Sequence, residues 1–316
     1  MAIVLDPAEI AKTYREAIRE EIKTLGDPPL LLAGFLAADH GPSKTYAEYT
    51  AKACADVGVR FDLRHLKRLE AEDAIAEANV DPRIHGILVY YPLFGPEHDA
   101  YIRDRVDPSK DIEGLHSFWA HCLYQNRRFI DAERTKKAIL PCTPLAILKL
   151  LEAAGAFGGT AGKPLAGKRA TVFNRSEVVG RPLASMMAND GAEVVSFDLD
   201  GVQLFQPREG EPGPGNDRRS ASAYGVSEST VDRATALRDA DVVITGVPSR
   251  SFPLVTPDEI KPGAICLNFS TMKNFREDIV ERASAYIPRV GPMTVTMALR
   301  NTLRLYRNAE GERPCS

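Results

Sequence analysis

A strand-like run, Thr171 to Asn174, leads through Arg175, Ser176, Glu177, Val178, Val179 and Gly180 into a helical pattern. The next apolar run ends in Asp198, 22 residues after Ser176. In a strand–helix–strand unit the helix N-terminus holds a pyrophosphate, and an acid ending the second strand bonds the adenosine ribose hydroxyls. The glycine fingerprint is poor. Asn174 and Ser176 stand where glycines are usual, and only Gly180 remains. Asp198 favours NAD, because a carboxylate there bonds ribose hydroxyls and repels a 2′-phosphate. Arg175 and Arg181 pull the other way, since guanidinium pairs well with phosphate. A solvated strand end is the bland alternative for Asp198, and Leu199 beside it joins the candidate cofactor-binding residues. Thr245, Gly246 and Val247 end a later apolar run, and Asn268 and Phe269 end the next. Such strand ends suit backbone contacts to nicotinamide and ribose, but they are also common plain loops. Cys142 lies just before Thr143, the expected N-cap of a helix, where a thiol pKa can fall and reactivity rise. A buried structural thiol is the other reading. The six histidines have no ligand spacing, so no metal is assigned.

The elements that must position these residues read as α/β. Asp6, Pro7 and Glu9 open a helix with apolar residues at three- and four-residue spacing, and Gly26 ends it. A buried strand is expected at Leu30–Leu36, a helix from Ser43 to Gly58, and a strand at Val59–Leu66. A helix at Ala71–Asn79 and a strand at Ile84–Tyr91 follow. Strand and helix alternating at this spacing mean βαβ units and a mostly parallel sheet. Residues 92–140 look loop-rich. A periodic helix then runs from Thr143 to Leu151, and the Gly- and Ala-rich stretch 155–167 reads as a hinge. A second series has strands at Arg169–Asn174, Glu193–Asp198, Asp241–Thr245 and Ala264–Phe269. The polar segment Gly201–Ser229 is expected to be a surface loop. A last helix covers about Pro292–Arg307.

Composition bounds the possibilities. The 316 residues suit about two domains. A net charge of −3 without a basic stripe gives no case for nucleic acid. The longest apolar stretch, Leu30 to Ala38, is far short of the ~20 residues of a membrane span. Five dispersed cysteines without a CxxC fit reduced thiols in the cytoplasm. The acidic N-terminal segment is unlike a signal or transit peptide.

Five segments carry more. They are GILVYYPLFG (86–95), KDIEGLH (110–116), PCTP (141–144), FNRSEVVGRPLA (173–184) and VGPMTVTMALRNTL (290–303). In order and spacing they resemble the methylenetetrahydrofolate dehydrogenase/cyclohydrolase family over essentially the whole chain, and ITGVPS (244–249) and Ser43–Tyr46 also fit. The resemblance implies a folate-binding catalytic domain at 1–150 with 292–316, and a Rossmann-type NAD-binding domain at 151–291. It also implies oxidation of 5,10-methylenetetrahydrofolate to 5,10-methenyltetrahydrofolate, in one-carbon metabolism that feeds purine synthesis, by a cytoplasmic homodimer. By the same resemblance Tyr46 stacks on or orients the folate, and Tyr90, Glu113, Pro292, Met293 and Thr294 line it. Cys142 falls at the active cleft. Core packing is the alternative for Tyr46, Tyr90 and Met293, and a solvated turn for Glu113.

The departures from that family sort by chemistry. The bifunctional members have a lysine four residues after the tyrosine; here Thr50 follows Tyr46. Lys52 is turned about 200° further round a helix and cannot replace it. Tyr90 stands where the family has glutamine, and Glu113 where it has aspartate. Ring opening by water needs proton transfers, and a threonine hydroxyl is no comparable base near neutral pH. Hydride transfer needs two rings held face to face and no obligatory acid or base. The expectation is therefore an NAD-dependent dehydrogenase without cyclohydrolase activity, as in the monofunctional, NAD-dependent branch of the family. A bifunctional NADP enzyme and a catalytically silent folate or nucleotide sensor are the alternatives.

Overall fold

The computed structural model describes residues 2–37, 42–208 and 224–310. Cys315, His40 and the middle of the 201–229 segment lie outside the described residues. In chain order the elements are β1 (Ile3–Val4), α1 (Pro7–Thr24), β2 (Leu31–Leu36), α2 (Pro42–Val57), β3 (Arg60–His65), α3 (Ala71–Val80) and β4 (Gly86–Val89). Next come α4 (Pro96–Arg105), α5 (Ser117–Tyr124), α6 (Cys142–Ala153), β5 (Arg169–Phe173), α7 (Gly180–Asn189), β6 (Glu193–Asp198), β7 (Gly201–Pro207) and β8 (Tyr224–Ser229). The chain closes with α8 (Arg233–Asp239), β9 (Val242–Thr245), β10 (Ile265–Asn268), β11 (Ala285–Ile287) and α9 (Gly291–Glu310).

The chain forms two compact units. One comprises residues 1–10, 123–127 and 143–293, and the other 11–122, 128–142 and 294–316. Four of the five divisions fall within α1, α5, α6 and α9. The 155–167 stretch, expected as a hinge, lies wholly inside the first unit.

The second unit is built on a three-stranded parallel sheet in the order β3-β2-β4. Its central strand, Leu-Leu-Ala-Gly-Phe-Leu, is buried along almost its whole length, as a strand covered on both faces must be. Ala33, Phe35, Ile75, Ile84, Ile87, Val89 and Ile102 form one core cluster. The supposedly loop-rich segment 92–140 instead carries α4 and α5. Asp99 explains the first of these. This buried carboxylate turns back to accept the Leu93 and Phe94 N–H groups, so a charged residue holds a core-facing position.

The first unit holds an eight-stranded sheet in the order β1-β11-β10-β9-β5-β6-β7-β8, parallel from β1 to β6. The strand order reverses between β5 and β9, the switch point at which open α/β sheets bind ligands. The 201–229 segment differs from the expected surface loop. Its two ends are not loop but antiparallel strands, β7 and β8, that extend the sheet beyond β6. The Gly-, Pro- and Arg-rich middle masks this in the sequence, while Val202, Leu204 and Phe205 at the start have strand chemistry.

Candidate active site

Two groups of side chains collect at strand ends, one in each unit. In the second unit Tyr46 and Thr50 sit one turn apart on α2, and the Thr50 hydroxyl donates to the Tyr46 carbonyl at 2.9 Å. Thr50 is buried, and Lys52 faces solvent. Tyr90 follows β4 directly, its N–H bound to the Phe35 carbonyl at 3.0 Å. Its ring meets that of Tyr46 edge-on, with centroids 5.8 Å apart at 77°. Gly34 makes room beside it. A Cβ there would stand 2.5 Å from the Phe61 ring and 3.4 Å from the Tyr90 ring. The Tyr90 hydroxyl is buried without a hydrogen-bond partner, the Thr50 side chain being its polar neighbour. Burial raises the pKa of both tyrosines, so both remain neutral donors.

Glu113 is held by its loop. Asp111 pairs with Ile87 at the edge of β4, and its carboxylate accepts the N–H groups of Glu113, Gly114, Leu115 and His116 at 2.8–3.0 Å. That turn aims Glu113 at the strand end, where its Oε2 accepts the Val89 N–H at 3.1 Å. Gly114 has φ +71°, and a Cβ would press on the Leu140 carbonyl at 2.8 Å, so glycine is required there. Burial, reinforced by the neighbouring Asp111 charge, pushes the Glu113 carboxyl up to about 8. Arg103 opposes the shift from outside.

Cys142 joins this group as a buried thiol. It is the first residue of α6 rather than a residue before the cap. Its thiol is buried and donates to the Ile112 carbonyl at 3.1 Å. Burial, then the Glu113 and Asp111 charges, raise its pKa well above the usual thiol value. Of the two readings, the structure favours the buried thiol over the activated thiolate, because desolvation outweighs the helix end. The reading from sequence also missed Asn301 of α9. Its amide donates to the Ile112 and Leu140 carbonyls at 2.9 Å each and to Cys142 Sγ at 3.5 Å. One buried amide thus ties together the two loops that carry Glu113 and Cys142. The available signal was a lone asparagine on the apolar stripe of the last helix. Pro292, Met293 and Thr294 form the first turn of α9, and Met293 and Thr294 are buried.

In the first unit, residues 174–180 replace the missing glycines with an asparagine turn. Asn174 Oδ1 accepts from the Ser176 N–H at 3.0 Å and hydroxyl at 2.7 Å, and its amide donates to the Gly246 carbonyl at 3.2 Å. The two strand ends flanking the switch point are thereby tied. A Cβ on Gly180 would lie 2.0 Å from the Asn174 carbonyl oxygen. This close helix–strand approach is the purpose of the fingerprint's last glycine. Asp198 ends β6 in solvent, accepting the Arg175 N–H at 2.5 Å and the Leu199 N–H at 2.7 Å. Leu199 is fully exposed. The Arg175 side chain, by contrast, is buried, and Arg181 pairs with Glu177 at 3.0 Å.

The remaining strand ends are more occupied than expected. Thr245 and Asn268 are buried, and their side chains bond each other at 3.3 Å. The Val247 N–H is taken by Asn274, and its carbonyl accepts from Ser270 and Asn274. Gly246 lies under the Phe269 ring, which a Cβ would meet at 1.9 Å. Thus Thr245, Val247 and Asn268 shape the floor of the switch point, and Gly246 and Phe269 pack as one unit.

Comparisons with known proteins find one family over both halves of the chain. Residues 5–113 match the model of the tetrahydrofolate dehydrogenase/cyclohydrolase catalytic domain, and residues 141–206 that of the family's NAD(P)-binding domain. The chain is 42% identical to a methylenetetrahydrofolate dehydrogenase [NAD(+)] of Saccharomyces cerevisiae, covering 96% of this chain and 95% of that one. A protein of the same description from Dictyostelium discoideum is 41% identical, covering 96% and 94%. The solved structure of the NAD-dependent 5,10-methylenetetrahydrofolate dehydrogenase from S. cerevisiae matches with a TM-score of 0.90 at 39% identity, over 99% of each chain. The chain belongs to the tetrahydrofolate dehydrogenase/cyclohydrolase family.

Proposed function

We propose that this protein oxidises 5,10-methylenetetrahydrofolate to 5,10-methenyltetrahydrofolate with NAD and does not hydrolyse the product. Residues 1–150 and 292–316 serve the folate and residues 151–291 the dinucleotide. The observation that carries the loss of hydrolysis is Thr50. Its hydroxyl is buried and its proton committed to the Tyr46 carbonyl, so the position offers no base to a water molecule.

The chain's residues have distinct tasks in this reading. Glu113 accepts hydrogen bonds from the pterin amino group and ring N–H, which a carboxylate does well. Tyr46 and Tyr90, crossed edge to face and kept neutral by burial, orient the folate ring and exclude water. Pro292, Met293 and Thr294 line the folate from the first turn of α9. Cys142 holds the Glu113 loop through its backbone N–H, bound to the Glu113 carbonyl at 3.1 Å.

The fit to a dinucleotide rests on the Gly180 cradle and the exposed Asp198 carboxylate. Bound NAD supplies the hydride acceptor. Asn174, Ser176 and Gly180 shape the phosphate turn, Asp198 accepts the ribose hydroxyls, and Leu199 covers the adenosine side. We further place the protein in the cytoplasm as a homodimer supplying one-carbon units, for example to purine synthesis. Among the described residues no helix is long and apolar enough to cross a membrane.

The test mixes protein, methylenetetrahydrofolate and either NAD or NADP, and follows reduced nicotinamide and the methenyl product. NAD reduction with accumulating methenyltetrahydrofolate supports the proposal. Preference for NADP, or rapid loss of the methenyl product, supports the bifunctional reading. No reduction with either nucleotide supports a silent sensor.

A further inference from the structure

We propose that Asp200 is a specificity-determining residue, which holds the Arg175 guanidinium inward and so keeps the nucleotide half of the protein selective for a ribose 2′-hydroxyl over a 2′-phosphate. The inference rests on the dinucleotide reading above and adds a residue that reading does not use. It concerns Asp200 acting through Arg175, whereas Asp198 acts on the ribose directly.

Arg175 is the second residue after β5, beside the Asp198 carboxylate. A guanidinium so placed is the usual means by which a Rossmann unit accepts the extra phosphate of NADP. Here its side chain is only 2% exposed. Nη1 donates to the Ser196 carbonyl at 2.9 Å and the Gly201 carbonyl at 3.3 Å. Nη2 donates to the Gly201 carbonyl at 3.3 Å and to the Asp200 carboxylate. Both terminal nitrogens are therefore engaged by the β6–β7 turn.

The turn explains how this occurs. Asp198 pairs with Gly201, leaving Leu199 and Asp200 as a two-residue connection, and Gly201 at φ +119° permits the tight return. The Asp200 side chain is 72% exposed yet reaches back to the buried guanidinium. Among these three groups, Asp198 and Asp200 each contribute −1 and Arg175 +1, a sum of −1. A phosphate monoester is thus repelled, and the Arg175 guanidinium is already paired. Replacing Asp198 alone brings the sum to zero but leaves Arg175 turned inward. Replacing Asp200 alone removes the ionic lock but leaves the Asp198 carboxylate. Both must go before the sum becomes +1 and Nη2 can turn outward, held back only by neutral carbonyls.

The test uses the full chain as wild type, D198S, D200A, D200N and D198S/D200A. The ratio of kcat/KM for NADP to that for NAD is measured, together with the dissociation constants of 2′,5′-ADP and 5′-AMP by calorimetry. Each single alanine or serine variant is expected to raise the NADP/NAD ratio about fivefold, the scale of one screened charge at short range. The double variant is expected to raise it at least about a hundredfold, more than the product of the singles. D200N, which keeps the turn but not the charge, should reproduce the D200A gain. For D200A and D200N the gain should appear in 2′,5′-ADP affinity, with 5′-AMP affinity within about threefold of wild type, a pattern that a merely structural role would not produce. The proposal is overturned if D198S alone gives the full gain, or if Asp200 variants weaken both nucleotides equally. Wild type that binds neither 5′-AMP nor NAD would overturn the dinucleotide reading itself. Wild type that binds both, with Asp200 variants unchanged in selectivity, would overturn only the role of Asp200.

Discussion

Replacing Glu113 with glutamine should flatten the pH dependence of folate affinity. With a carboxyl pKa near 8, Glu113 in the free protein is about one-tenth ionised at pH 7 and about nine-tenths ionised at pH 9. Only the ionised form presents acceptors to both pterin donors. Apparent affinity scales with the competent fraction, so KM for methylenetetrahydrofolate should fall about tenfold from pH 7 to pH 9. The glutamine variant has one acceptor and an amide donor, like the protonated acid. Its KM should match the wild type near pH 7 and exceed it about tenfold by pH 9. Initial rates over pH 6–9 at saturating NAD measure this directly. Stability has its own sign. A carboxyl whose folded pKa lies above its unfolded value stabilises fully below about pH 4.5, and that contribution is lost as pH rises to about 8. E113Q should therefore gain Tm relative to wild type as pH climbs from 5 to 8. Parallel KM profiles for the two proteins would refute the reasoning.

Four further outcomes follow from the same geometry. Gly180→Ala should cost about 3 kcal/mol in chemical denaturation and sharply raise KM for NAD, because its Cβ meets backbone oxygen. Gly246→Ala should cost less, since the obstructing Phe269 ring can swing aside; equal losses would count against this. T50K/Y90Q should open the methenyl ring faster than buffer while Y90Q alone does not, measured by decay of methenyl absorbance. C142S should keep kcat within about threefold, because a hydroxyl can still donate to the Ile112 carbonyl. A large kcat loss at unchanged Tm would restore a chemical role to the thiol.

The parts legible in the sequence were those set by local rules. The α1 cap is one case: Asp6 Oδ1 accepts the Ala8 N–H at 3.0 Å, and Gly26 past the helix end has φ +79°. The strand–turn–helix around Ser176 and the bounds of β6 are others. What escaped depended on distant partners. α4 has a buried aspartate on its inner face, which periodicity counts against a helix. The Cys142 thiol looked activated from its helix end, but its pKa is set by burial and by Glu113 and Asp111, about thirty residues earlier in the chain. Asn301 anchors carbonyls 161 and 189 residues away. Arg175 looked available to phosphate, and only the fold of the 198–201 turn shows it is engaged.

Oxidation without hydration is the property that Thr50 most directly predicts. Purified protein given methylenetetrahydrofolate and NAD, followed at once for reduced nicotinamide and methenyltetrahydrofolate, should yield one methenyl product per hydride accepted. That product should then decay no faster than in buffer alone. Reduced nicotinamide forming while the methenyl signal vanishes at an enzyme-dependent rate would contradict it.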